Sequence, residues 1–323
     1  METILSVDSL SINYKLGRNI YCAVKNVSLI LNKNDSLAIV GESGCGKTTL
    51  GMSMLNILPK EAEITDGKIF LFNRDILNLS KNDMTKVRGG MISMIFQDPL
   101  SSLNPVIKIG EQLRETLKTH GRDFSTGKIE EILNTVQLAD AGHIMNSYPH
   151  QLSGGMRQRI LIAQALCSNP EILIADEPTT ALDVTVQAQI LDLIGKLQSD
   201  NAMSVMLITH DFGVVAELCE EVLVMYASRV VETGSVQQLF NNPLHPYTRG
   251  LLHSIPRLGS SKERLHVIEG NVPSAVNLPE GCRFAGRCPE ADAHCRQEQP
   301  ELVVYEAGHE AACWKVGSHR GFL

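Results

Sequence analysis

Residues 41–48 read G-E-S-G-C-G-K-T, with Gly41 and Gly46 bracketing four residues and Lys47 and Thr48 following. This is the phosphate-loop spacing G-x-x-x-x-G-K-[ST]. Its chemistry is anion capture: successive backbone N–H groups wrap a phosphate, and a helix N-terminus adds the positive end of its dipole. Ser43, Gly44, Cys45 and Thr49 would line the nucleotide with the two glycines. Lys47 would reach the β- and γ-phosphates, and Thr48 would ligate Mg2+. A thiol at a helix N-terminus is expected to have a lowered pKa, which would make Cys45 reactive and its alkylation a block to ATP binding. A second pattern, I-L-I-A-D-E at 172–177, is an apolar run ending in two carboxylates. Asp176 is placed to hold Mg2+, directly or through water, and Glu177 to polarise the water that attacks a γ-phosphate. Each pattern alone has a plain structural explanation, a glycine-rich turn or an acidic strand end. On one chain they point together to nucleotide hydrolysis.

These residues need a frame. L-A-I-V (37–40) reads as a buried strand entering the loop, and T-L-G-M-S-M-L-N-I-L reads as the helix leaving it. Residues 1–97 alternate short strands with turns. Residues 98–160 hold helical periodicity in I-G-E-Q-L-R-E-T-L and I-E-E-I-L-N-T-V. Residues 161–255 return to alternation: the helix V-Q-A-Q-I-L-D-L-I-G-K-L, then the strands S-V-M-L-I-T and E-V-L-V-M-Y. Strand–helix alternation predicts an α/β fold with a parallel sheet and ligands beyond the strand C-termini, where the motifs fall.

L-S-G-G-M at 152–156 resembles the signature of ATP-binding-cassette (ABC) ATPases, usually L-S-G-G-Q, with Met156 as the departure. Ser153, Gly154 and Gly155 open the apolar-periodic helix M-R-Q-R-I-L-I-A-Q-A-L and form a second anion site. The resemblance implies that this site closes on the ATP held by another subunit. Three further elements match. Gln97, after M-I-S-M-I-F, resembles the glutamine that senses Mg2+ and the transport domain. A-L-D (181–183), with Asp183, resembles the loop joining two nucleotide sites. His210, in L-I-T-H-D, resembles the switch histidine that contacts the γ-phosphate. Adenine is expected to stack on Tyr14, with Tyr21 as the alternative. The implied fold is a P-loop NTPase cassette at 1–255: a parallel core, antiparallel N-terminal strands, and an inserted helical subdomain at about 98–160.

The chain has 323 residues, 43% hydrophobic, and a net charge of −7. That size suits one large α/β domain with an addition. No apolar run approaches 18 residues, so no membrane span is expected. The start, M-E-T-I-L-S-V-D, lacks the basic and apolar regions of a secretory signal, and a cytosolic location is expected. The acidic balance argues against a sequence-independent grip on nucleic acid.

Beyond residue 256 the texture changes. Pro256, Pro273, Pro279, Pro289 and Pro300 punctuate a stretch of little periodicity that carries Cys282, Cys288, Cys295 and Cys313 in the spacing C-x5-C-x6-C-x17-C. Clustered cysteines in a cytosolic chain point to metal or redox chemistry rather than disulfides. On ligand type alone, four thiolates suit [4Fe–4S] and Zn2+ equally, and reduced structural thiols remain a third reading. Arg283 and Arg287 are candidates to offset thiolate charge, or form a solvated basic turn. G-C-R-F-A-G-R-C-P (281–289), D-P-L-S-S-L-N-P (98–105) and H-P-Y-T (245–248) resemble the ATP-binding subunits of dipeptide and oligopeptide permeases. This resemblance implies a Cys-rich extension at 256–323, which in some relatives holds an iron–sulfur cluster, here a [4Fe–4S] centre with structural or docking duty.

The same resemblance implies a peripheral subunit on the cytoplasmic face of the bacterial inner membrane. It would work with two membrane permeases, a second related ATPase (or an identical chain) and an extracytoplasmic substrate-binding protein. The cargo would be di- or oligopeptides, with nickel or metal chelates and other small solutes as alternatives. A soluble ABC protein acting on ribosomes or DNA is disfavoured by the single cassette and the absence of sustained heptads between residues 50 and 150. An exporter is disfavoured by the cysteine block and H-P-Y-T.

Overall fold

The structure is a computed structural model that describes residues 2–98, 102–180, 182–254 and 268–316. Pro256, the 255/256 boundary, Ala181 of A-L-D and residues 99–101 of D-P-L-S-S-L-N-P lie outside the described residues. The chain divides into two compact units.

The unit built mainly from Asn78–Leu207 carries the short helix α2 (Lys81–Val87) and the strand β6 (Ile92–Ile95). Then follow α3 (Ile109–Thr119), α4 (Thr126–Thr135), α5 (Ala141–Asn146), α6 (Gly154–Leu166), β7 (Ile172–Asp176) and α7 (Val184–Asn201). β6 and β7 pair in parallel, Ile92 with Ile172 and Ile95 with Ala175. All five residues of β7 are buried, as an apolar run without alternation requires of a strand covered on both faces. The expected helices at 109–117 and 129–136 are present. Their apolar faces, Ile109, Leu113 and Leu117 on α3 and Ile129 and Leu133 on α4, are buried. Buried Gln112 fixes the segment before α3 by accepting the Asn104 N–H at 2.9 Å and donating to the Asn104 and Ile107 carbonyls.

The other unit takes the N-terminal strands and the chain after residue 207. β1 (Thr3–Leu16) and β4 (Ala62–Leu71) pair antiparallel from Leu5–Leu71 to Tyr14–Ala62, in a sheet ordered β2-β1-β4-β5, with β2 at Asn19–Asn32 and β5 at Arg74–Asp75. β3 (Ser36–Val40) is buried throughout and pairs in parallel with β9 (Glu221–Tyr226). Outward from β9 come β10 (Arg229–Ser235), β12 (His309–Ala311) and β11 (Val303–Glu306), each antiparallel to its neighbour. Residues 303–311 are thus less irregular than expected. V-V-Y-E turns at Gly308 (φ +75°) into H-E-A and extends the edge of β10 as a hairpin. The helices here are α1 (Lys47–Met54), α8 (Phe212–Leu218), α9 (Val236–Asn241), α10 (Pro246–His253) and α11 (Ala293–Gln297). Among the described residues no helix is long and apolar enough to cross a membrane.

Candidate active site

β3 delivers the chain to Gly41, and the loop closes into α1 at Lys47. Space demands both glycines. A Cβ on Gly41 would sit 2.2 Å from the Met225 carbonyl oxygen. One on Gly46, where φ is +103°, would sit 2.0 Å from that of Ala23. Ser43, Gly44 and Thr48 are exposed, and Thr49 is half-buried. Lys47 is buried, its ammonium donating to the loop's own carbonyls at Gly41 (2.7 Å) and Glu42 (3.1 Å). The Tyr14 hydroxyl lies 3.3 Å from Thr49 Oγ1, which brings that aromatic to the first turn of α1. Tyr21 is half-buried on β2.

The expectation of a reactive Cys45 is overturned. Its side chain is 1% exposed, and burial pushes the thiol pKa up. Lys47 Nζ, 3.9 Å from Sγ, pulls the other way with less effect. Desolvation outweighs the charges around this thiol because the sulfur packs inward against Gly41.

In the other unit Asp176 ends β7 almost fully buried, and Glu177 follows in the left-handed region at φ +45°. Such a backbone costs a non-glycine residue about 1–3 kcal/mol, and observed strain of this kind gathers at functional sites. Glu177 Oε2 accepts hydrogen bonds from Gln97 Nε2 at 2.7 Å and Thr180 Oγ1 at 2.8 Å. Parallel pairing explains the first contact: Ile95 faces Ala175, so the residues just past both strand ends lie side by side. Thr180 was not legible as a site residue; its one sequence signal is a hydroxyl three positions after a strand-end carboxylate.

Ser153 caps α6 by accepting the Met156 N–H at 3.3 Å, and Gly154 and Gly155 form its first turn. A Cβ on Gly155 would meet Val186 Cγ1 at 2.7 Å. Asp183 caps α7 by accepting the Val186 N–H at 3.0 Å. The signature segment and the start of α7 are therefore neighbours. His210 is exposed directly after β8 (Ser204–Thr209), in the unit that holds the phosphate loop.

Cys282, Cys288, Cys295 and Cys313 line one cavity of about 10 Å³ with His245, Phe284 and Trp314. All four are free thiols. Burial raises the Cys282 and Cys288 pKa values and takes Cys313 to about 11, with the neighbouring thiols adding to the rise. The space holds about one water. Among the described residues no group of three or more His, Cys, Asp or Glu side chains could hold a metal ion as placed. The expected metal centre is thus not assembled by these side chains. Of the two arginines, Arg283 donates to the Ala227 carbonyl, and Arg287 clasps the Glu42 carboxylate.

Residues 24–180 match the ABC transporter family, and residues 231–295 match the oligopeptide/dipeptide transporter C-terminal region. The dipeptide transport ATP-binding protein DppD of Bacillus subtilis (strain 168) is 46% identical over 97% of this chain and 95% of its own length. The oligopeptide transport ATP-binding protein OppD of Haemophilus influenzae is 44% identical over 97% and 98%. A dimeric ATP-binding cassette, MJ0796, in a post-hydrolysis state bound to ADP and Pi, superposes with a TM-score of 0.63. It is 30% identical, over 72% of this chain and 99% of its own length. The chain belongs to the ABC transporter ATP-binding proteins of the oligopeptide/dipeptide type, and it is an ATPase.

Proposed function

We propose that this chain powers import of di- or oligopeptides, or a related small solute, from the cytoplasmic face of a bacterial inner membrane. It would act as a peripheral subunit beside two membrane permeases, a second related ATPase and an extracytoplasmic substrate-binding protein. Residues 1–255 would form the cassette, and 256–323 the extension. The observation that carries the hydrolytic part is the Glu177 carboxylate, held through Oε2 by Gln97 and Thr180 at a strained strand end. Nickel or metal chelates are the second cargo class.

The phosphate loop supplies its N–H groups and Lys47 to the β- and γ-phosphates, and Tyr14 offers a ring to adenine. Thr48, Asp176 and Gln97 carry the hard oxygen donors that Mg2+ takes, two of them at the ends of buried strands or at a helix start. When bound, the ion neutralises charge on the β- and γ-oxygens. Glu177 orients water in line with the γ-phosphate, and His210 contacts the same group. Ser153, Gly154 and Gly155 of one subunit close over the nucleotide of the other, with Asp183 at the joining loop. The closed pair binds ATP better than the open pair, and that difference drives the permeases.

The four cysteines of the cavity have the ligand type of a four-thiolate metal centre, though their side chains as placed do not assemble one. Cys282, Cys288, Cys295 and Cys313 would hold [4Fe–4S], or Zn2+ as the alternative, once the thiols deprotonate and the cavity widens. Such a centre would serve structure, because metal binding there is coupled to folding. Anaerobic preparations should then contain about four irons per chain. Stoichiometric zinc would replace the cluster in this reading, and neither metal would end it.

Transport is tested by reconstituting the importer with its binding protein in vesicles and identifying the captured ligand by mass spectrometry. ATP-driven uptake of a peptide is the expected result. Uptake of a metal chelate alone would move the chain to the second class, and efflux would contradict import.

A further inference from the structure

Glu42, the second residue of the phosphate loop, is fixed from three sides, two of them by parts of the chain more than two hundred residues away. Its backbone N–H donates to the Tyr247 hydroxyl at 2.9 Å. Tyr247 is fully buried, with ring centroids 4.7 Å from Tyr226 and 5.4 Å from Phe284. The Glu42 carbonyl accepts from Lys47. Its carboxylate is clasped by Arg287, Nη1 to Oε2 at 2.6 Å and Nη2 to Oε1 at 3.0 Å. The guanidinium spends its remaining donors on the Glu269 carbonyl, the Ile268 carbonyl and the Tyr226 hydroxyl, and its side chain is 6% exposed. All five N–H groups therefore have acceptors, which fixes the fork in one orientation.

A carboxylate in a loop built for a triphosphate is an electrostatic liability. Two like charges near one another in a partly buried site disfavour each other's presence. A bidentate guanidinium offsets that charge and holds the loop's first turn. The position of Arg287 beside Cys288 places this clasp in the cysteine-bearing segment.

We propose that Arg287 is a positioning residue of the phosphate loop: by neutralising and holding Glu42, with Tyr247 fixing the same residue's N–H, the C-terminal segment sets the affinity of this chain for ATP. The inference rests on the reading of Gly41–Thr48 as the ATP phosphate site. Arg287→Ala leaves the Glu42 carboxylate charged and unclasped. Arg287→Lys keeps the charge but loses the fork. Glu42→Gln combined with Arg287→Ala removes the repulsion.

The test is titration of the full-length chain with a fluorescent ATP analogue, followed by ATPase kinetics in the assembled importer and thermal melting of each variant. Arg287→Ala should raise Kd and KM about 10-fold with kcat changed less than about 2-fold, a loss of binding shared by ground and transition states. Arg287→Lys should fall between, and the double variant should recover most of the loss. A purely structural role would lower the melting temperature of the single and double variants alike and give no recovery. If Arg287→Ala fails to fold, Tyr247→Phe keeps the ring packing and removes only the acceptor; it should raise Kd about 3-fold with the melting temperature held. Wild-type Kd in folded Arg287→Ala, or in Tyr247→Phe where Arg287→Ala does not fold, would overturn the proposal. A wild-type chain that binds no nucleotide would instead overturn the reading of the loop itself.

Discussion

The phosphate loop and the Glu177 corner solve different problems with different materials. The loop is built of backbone. Its glycines are forced by carbonyls of Ala23 and Met225, its lysine is held by its own turn, and its second residue is clasped by Arg287 and Tyr247. The corner is built of side chains. Gln97 and Thr180 donate to one oxygen of the Glu177 carboxylate, on a backbone in the left-handed region. Grip spread over many main-chain groups should tolerate the loss of one neighbour, whereas chemistry set by individual side-chain contacts should not. Changes around the loop should therefore appear in Kd, and changes around the corner in kcat.

The largest effect is expected where the loop depends on a single side chain. Lys47→Ala removes the ammonium proposed to reach the phosphates, and it should weaken ATP binding on the order of 10²-fold and abolish transport, read by analogue titration and vesicle uptake. Gln97→Ala should lower kcat about 10-fold with a smaller change in Kd, since it removes one hydrogen bond on Glu177 Oε2 without touching the loop. Equal losses in Kd and kcat would erase the division between the two regions.

A smaller effect is expected from His245, which lies outside both. It is fully buried, its Nδ1 accepts the Tyr247 N–H, and burial takes its pKa down to about 4, with Glu232 and Glu290 opposing and Arg249 reinforcing. Below its ordinary value near 6.5 the unfolded chain binds a proton that the folded chain refuses, so stability rises with pH across this window. Melting temperature should fall as pH drops from about 6.5 to about 4, and His245→Asn, which can still cap α10, should flatten that slope. The smallest effect concerns Cys45. Maleimide at neutral pH should leave this buried thiol unmodified in the folded chain, as peptide mapping would show; rapid labelling that ATP blocks would restore the reactive thiolate that its place at the helix start suggested.

Much of the fold could be read from sequence because periodicity is local. The apolar runs at 37–40, 172–175 and 204–209 and the helical stripes at 109–117 and 129–136 declare their elements within one window. The nucleotide residues were legible for the same reason: each motif is a short spacing with its own chemistry. What escaped is non-local. Nothing near Glu42 announces Arg287, 245 positions on, and H-P-Y-T gives no sign that its tyrosine holds the loop. Cys45 misled because a helix terminus is visible in sequence while burial is not. The edge hairpin at 303–311 hid behind prolines and cysteines, although V-V-Y-E followed by Gly308 has the residues for it.

The central claim, that the loop binds and the corner hydrolyses, is tested most directly by Glu177→Gln in the assembled importer. Nucleotide Kd and steady-state turnover would be measured on one preparation. The account predicts an unchanged Kd, turnover reduced on the order of 10²-fold or more, and a closed ATP-bound pair that accumulates. Turnover at the wild-type rate would contradict it.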